Sequence, residues 1–203
     1  MIKMNIKKAV TDYPIQHALA DRWSPYGFED RPVAEADLCS LFEAARWAAS
    51  SYNEQPWNYL VAIKENAREF DQLLACLVEA NQAWAKAAPV LMISVARKTS
   101  THSGKPNRCA IHDVGLASEN MTLEAVEQGL LTHGMGGIDL EKIRQVYGLP
   151  ENYEAVAGWA IGYGGEPDAL EGKLKEAEEA PRARKPLAEF VFNEWGKAAD
   201  FIG

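Results

Sequence analysis

Two arginine-bearing segments, one near each end of the chain, are the first residues that could do chemistry: Arg22-Trp23-Ser24 and Arg182-Ala183-Arg184-Lys185. A guanidinium is a planar fork of donors that stays charged, and it matches phosphate oxygens in a bidentate way that an ammonium cannot. Prolines bracket both segments and the spacing inside each is short, which separates them from scattered surface arginines. A third segment, Ser50-Ser51-Tyr52-Asn53-Glu54-Gln55-Pro56-Trp57, crowds hydroxyl and amide groups into a few residues. A fourth, His133-Gly134-Met135-Gly136-Gly137, is dense in glycine. Glycine lets backbone N–H groups approach a ligand where a side chain would clash. Any one of these arginines, taken alone, reads as a solvated surface residue; their meaning is collective.

Other chemistries find no carrier in the sequence. There is no HExxH, GxSxG or Walker loop. His17, His102, His112 and His133 lie far apart, none at metal-ligand spacing. Cys39, Cys76 and Cys109 form no CxxC pair and read as free thiols. With no signal-peptide pattern over Met1–Val10, free thiols point to the cytoplasm. Gly158, Gly162, Gly164 and Gly165 invite a dinucleotide fingerprint, but the GxGxxG spacing fails at Pro167. They read instead as sites of close backbone packing at a strand end. The net charge of −8 and pI near 5.1 disfavour nucleic acid and anionic membrane surfaces as partners. The longest apolar runs, Pro89–Ala96 and Ala155–Ile161, are too short to span a bilayer.

The elements that must position these residues follow from apolar spacing. At 203 residues, with 47% hydrophobic and 25% charged, the chain fits one α+β domain over 1–203. A helix is expected from about Pro14, and another from Pro32 carrying Leu38, Leu41, Phe42 and Ala45 on one stripe. Trp57–Ile63 reads as a central strand buried on both faces. A helix follows with Leu73, Leu74, Leu77 and Val78, and Pro89–Ala96 is a second buried strand. Arg97–Asn107 reads as an exposed loop and Ala110–Gln128 as a long helix with an unusually wide apolar arc. Gly129 ends that helix, His133–Gly137 is a turn, Asp139–Tyr147 a short helix, and Val156–Tyr163 a third buried strand. Glu166–Glu179 reads as a solvated connector with some helix, and the tail Phe190–Phe201 is too apolar to be a free end.

Arg22–Phe28, Ser50–Trp57, His133–Asp139 and Arg182–Leu187, in that order along nearly the whole chain, resemble the FMN-dependent nitroreductase family. Ser-Ser-x-Asn-x-Gln-Pro-Trp is the most specific piece. The resemblance implies a mostly antiparallel sheet flanked by helices in an intertwined homodimer, with residues 188–203 packing on the partner subunit. It implies FMN, with its phosphate on Arg22, Ser24, Arg182 and Arg184 and with Trp23 beside them. Ser50, Ser51 and Asn53 would meet the isoalloxazine ring, joined by Asn81 and by Met135, Gly136 and Gly137. Tyr26 departs from the family pattern, which often has a cation there; Lys185 or Arg31 is left to substitute. No side chain is needed as nucleophile or acid, because the flavin carries hydride from NADH or NADPH to a small-molecule electron acceptor. Nitroaromatics, quinones and enones are the acceptors implied. Different flavin chemistry on the same fold (dehalogenation, dehydrogenation, flavin breakdown) and non-catalytic FMN binding stand as alternatives.

Overall fold

In a computed structural model describing residues 7–202, the Asp168 side chain excepted, a four-stranded antiparallel sheet lies between two layers of helices. Residues 1–6 of the Met1–Val10 segment and residue 203 of the C-terminal extension lie outside the described residues. The strands are β1 (Trp57–Ile63), β2 (Val90–Arg97), β3 (Leu131–Met135) and β4 (Tyr153–Gly162), in the order β1-β2-β4-β3.

Period-two alternation along β2 decides what each layer packs on. Val90 and Met92 face α2 (Glu35–Arg46) and α5 (Ala110–Glu127), meeting Leu38, Leu41, Ala117 and Met121. Leu91, Ile93 and Val95 face the other layer, built from α3 (Ala67–Leu74), α4 (Glu79–Ala85) and α6 (Leu140–Tyr147). Every residue from Val90 to Ala96 is buried, as expected of an apolar run in a central strand. The helix at Ala110, its Val114–Ala125 stripe and its stop at Gly129 (φ 72°) also match the sequence reading. No helix among the described residues is long and apolar enough to cross a membrane.

Several expectations are corrected. Trp57–Ile63 is not central: among the described residues β1 is an edge strand with β2 its only neighbour, and Val61 is exposed. Its apolar run records cover on both faces, Tyr59 toward one layer and Leu60 toward the other, but not the number of flanking strands. His133–Met135 is not a turn but the second half of β3, pairing with Ala160–Gly158. Gly134 hides that strand from propensity. A Cβ there would lie 3.1–3.4 Å from the Trp159 indole, so the ring covers the bare backbone. The first helix, α1, spans only His17–Asp21, and Leu77 and Val78 lie beyond α3. Within Glu166–Glu179, helix α7 (Gly172–Glu179) is not merely solvated, because Glu178 is buried. The tail forms a small hairpin, β5 (Phe192–Glu194) with β6 (Lys197–Ala198), leaving Phe190, Trp195 and Phe201 exposed.

The strand-end glycines do permit close packing. A Cβ on Gly162 would lie 2.5 Å from Pro89 Cδ, and one on Gly165 would lie 2.7–2.9 Å from the backbone of Phe28. Phe28 bridges Gly164 there, so Gly165 fixes where the Arg22–Phe28 segment runs. Gly165→Ala is expected to lower unfolding stability by about 1–3 kcal/mol. Urea titration checks this, and an unchanged midpoint would contradict the contact.

Candidate functional site

The Arg22–Phe28 segment is pinned at close intervals. The Arg22 N–H donates to Ala18 O (2.9 Å), closing α1, and the Gly165 N–H to Gly27 O (3.0 Å). His133 Nδ1 lies 2.8 Å from Pro25 O. A carbonyl can only accept, so Nδ1 carries the proton. Burial pushes the His133 pKa down, against that hydrogen bond, and Arg22 nearby pushes the same way. The Tyr26 N–H donates to Glu178 Oε2 at 2.8 Å. The Tyr26 ring stands edge-on to Trp84 and His133, 5.1 and 4.7 Å between centroids. Tyr26 thus builds an aromatic core rather than facing the arginines.

The two ends of the chain converge. Arg182 Nη1 donates to Lys7 O and Ala20 O, both at 2.9 Å. Lys7 is itself buried, donating to Ala177 O (2.9 Å) and Ala180 O (2.7 Å), with its ammonium 5.1 Å from the Trp23 ring centre. Arg22 Nη1 donates to Ser24 Oγ at 3.2 Å. Burial lowers the Arg22 pKa and the Arg184 charge lowers it further; burial also lowers that of Arg182, with Arg22 and Arg184 adding. Three guanidiniums therefore sense one another. Glu119 and Asp21 oppose this at a distance, and none of the three forms an ion pair among the described residues. Arg182 Nε is buried with no hydrogen-bond partner among the described residues. Arg31 instead lies over the Tyr163 ring, 3.7 Å from its centre.

The Ser50–Trp57 loop is held by a different set of contacts. Tyr52, Asn53 and Gln55 have φ of 53°, 55° and 46°, a left-handed region that non-glycine residues seldom enter. Such residues persist only where their surroundings over-determine them. The Ser51 N–H donates to Asp113 Oδ2 (3.0 Å) and the Gln55 N–H to Ser50 Oγ (3.1 Å). The main anchor is Glu54, buried and surrounded by donors. It accepts from the Ser100 hydroxyl, the Thr101 N–H (2.8 Å), Thr101 Oγ1 (2.9 Å) and Arg97 Nη2 (3.1 Å). The Ser100 hydroxyl foremost, then the Thr101 N–H, holds its pKa down to about 2.

A third group joins Asn81 to the glycine loop. Asn81 Nδ2 donates to Gly137 O at 3.0 Å, as does the Val78 N–H at 3.1 Å. A Cβ on Gly137 would sit 2.6 Å from that Asn81 nitrogen, whereas one on Gly136 would meet nothing within 4 Å. The Met135 side chain is buried in the core, so only its backbone is available to a ligand.

These groups are anchored at different points along β4 and α5. The Arg97 N–H donates to Pro56 O (2.9 Å) beside Tyr153, where β4 begins, whereas Phe28 pairs with Gly164 just past its end. Those anchors lie roughly 30–35 Å apart along the strand. Both segments look onto α5, Ser51 at Asp113 and Arg22 toward Glu119. Lys7, Glu54, Arg97 and Glu178 escaped the sequence reading, since each is a lone charge whose partner is distant in sequence.

A model of the nitroreductase family matches residues 19–163. A solved structure described as an oxidoreductase containing FMN superposes with a TM-score of 0.85 at 34% identity, covering 91% of this chain and 93% of that one. The protein DrgA of Synechocystis is 30% identical over 77% of this chain and 80% of its own length. The major NAD(P)H-flavin oxidoreductase of Aliivibrio fischeri is 36% identical over 58 residues, 28% of this chain and 27% of its own. With its fold, motif order and the family match in agreement, the chain belongs to the nitroreductase family.

Proposed function

We propose that this protein is an FMN-dependent oxidoreductase that uses NADH or NADPH to reduce flat, electron-poor acceptors such as nitroaromatics, quinones and enones. The observation that carries the reading is the guanidinium cluster. Partly buried Arg22 and Arg182, repelled by each other and by exposed Arg184, with a buried Arg182 Nε that has no hydrogen-bond partner among the described residues, form a site that an oxyanion of about two charges would complete. The FMN phosphate is such a group. The related FMN-containing oxidoreductase supports the assignment.

Within the site, Arg22, Ser24 and Arg184 are assigned as direct phosphate donors. Arg182 has a second duty, since one of its terminal nitrogens already serves two backbone carbonyls. Trp23 backs the grip through Lys7. Asn81 fixes the Gly136–Gly137 backbone, whose open side at Gly136 leaves room for a ring edge. Ser50, Ser51 and Asn53 supply hydroxyl, N–H and amide groups for the pyrimidine side of the ring. When bound, FMN supplies the hydride chemistry, taken from the reduced nicotinamide and given to the acceptor in a ping-pong exchange.

The separation of the two half-sites favours a homodimer in which each flavin lies between the arginines of one subunit and the Ser50–Asn53 loop of its partner. The exposed Phe190, Trp195 and Phe201 suit residues 188–203 to cover that partner, and exposed Ile111 and Leu116 on α5 fit the same interface. Three free cysteines are in keeping with the cytoplasm.

The purified protein is expected to carry a flavin spectrum that NADH or NADPH bleaches without oxygen and that a quinone or nitroarene restores; colourless protein indifferent to added FMN would overturn the reading. Arg22→Ala or Arg184→Ala should weaken FMN binding by about 10- to 100-fold in flavin fluorescence titration, as expected for one charge-assisted contact. A mixed dimer tests the shared site. One subunit carries Arg22→Ala with Arg184→Ala. The other carries Asn53→Val, which a left-handed φ cannot accommodate. One intact site should remain, giving about half the wild-type turnover per dimer; a dead mixed dimer would place both half-sites in the same chain.

A further inference from the structure

A cleft of about 590 Å³ opens between the Ser50–Glu54 loop and the segment that joins β2 to α5. Ser51 and Tyr52 line one side, and His102, Asn107 and Arg108 the other. None of the clustered arginines lines it, so it is a separate space that touches the proposed flavin loop at Ser51. Its polar groups are dominated by donors. Arg108 is exposed and makes no hydrogen bond or ion pair among the described residues. Asn107 is fixed from three directions: its N–H donates to Lys98 O (2.6 Å), its carbonyl accepts from Ala110, and its side-chain oxygen accepts from the Cys109 N–H (3.0 Å). Its amide nitrogen, held in place by those bonds, is buried and unpartnered.

The one carboxylate in the lining is Glu54, and it offers little repulsion to an anion. Arg97, Ser100 and Thr101 already occupy its oxygens, and Arg97 balances its charge. Asp113, the nearest acid on α5, is buried against the Ser51 N–H and His112 rather than lining the cleft. The 98–107 segment is therefore not a loose loop. The Glu54 clasp ties it to the flavin-side loop, and the Thr99–Pro106 bridge closes it on itself. The cleft is therefore lined by a fixed wall that carries one cation, Arg108, with no ion pair among the described residues.

We propose that this cleft is the acceptor pocket, and that Arg108, beside the rigidly held Asn107, selects aromatic acceptors bearing a carboxylate or comparable oxyanion. The inference rests on the flavin reading for its redox role, but the pocket and its anion preference stand on the chain's own residues. A guanidinium fork can hold both oxygens of a carboxylate, which a carboxamide of the same shape cannot match. A phosphate of the reduced nicotinamide dinucleotide has the same chemistry, so the test separates the two sources.

Purified holoprotein is titrated calorimetrically with benzoate and with benzamide near neutral pH, as wild type, Arg108→Gln and Arg108→Glu. Wild type should bind benzoate at least about tenfold more tightly, Arg108→Gln should lose most of that ratio, and Arg108→Glu should invert it. A wild type without preference, or a ratio unmoved by Arg108→Gln, overturns the proposal. If Arg108→Gln leaves the benzoate ratio intact but lowers the preference for NADPH over NADH, the oxyanion belongs to the reductant and the acceptor assignment falls. The flavin absorbance of the same samples keeps the two readings apart. Yellow protein without benzoate preference sinks the pocket alone, whereas colourless protein with that preference sinks the flavin chemistry alone.

Discussion

Like charges repel, and guanidiniums drawn from positions 22, 182 and 184 would drift apart unless the backbone around them were pinned. The structure meets that constraint with neutral acceptors and buried charges of its own. Arg182 leans on the carbonyls of Lys7 and Ala20, Lys7 on those of Ala177 and Ala180, and Glu178 takes the Tyr26 N–H. Burial raises the Glu178 pKa, while the Tyr26 N–H and the Lys7 charge oppose the rise. Its other oxygen, buried, has no partner within hydrogen-bond distance among the described residues, so that carboxylate is held at a cost. Gly165 allows the strand end to touch Phe28 and sets the height of the whole assembly above the sheet. Remove this scaffold and the arginines become ordinary surface residues.

A second strained element complements the first. Three left-handed non-glycine residues within four positions would each cost about 1–3 kcal/mol if left alone. Carboxylate oxygens bound by a guanidinium, two hydroxyls and an N–H make Glu54 a strong local tether, and Asp113 fixes the preceding turn. A loop held this firmly presents its hydroxyl and amide groups already oriented, so little ordering entropy is lost when a ligand meets it.

How much of this was legible in the sequence depends on whether the signal was periodic. Val90–Ala96 and the Val114–Ala125 stripe were readable because burial repeats along them, and the basic run at Pro181–Pro186 stood out against an acidic chain. β3 was not readable, since a glycine beneath an indole has no strand propensity and its cover comes from Trp159, some 25 residues away. The edge position of β1 was not readable because an apolar run reports covered faces, not neighbouring strands. Motif order located the arginines, yet the contacts that orient them come from single residues at distant positions, which leave no local pattern. The family resemblance brought out the polar loop as a motif, whereas the carboxylate that shapes it sits at a position the motif leaves variable.

The buried Lys7 sets a timetable for the molecule. Its bonds to Ala177 and Ala180, and the bond that Arg182 returns to its carbonyl, join positions more than 165 residues apart. Contacts of that separation carry the largest loop-closure cost and form late, after the central sheet and α5 have gathered. During synthesis the sheet strands emerge well before residue 184, so the layered core can assemble while the two arginine segments are still apart. The basic segment is therefore the last part of the fold to be fixed, since Arg182 can reach the Lys7 and Ala20 carbonyls only once the chain has been made past α7.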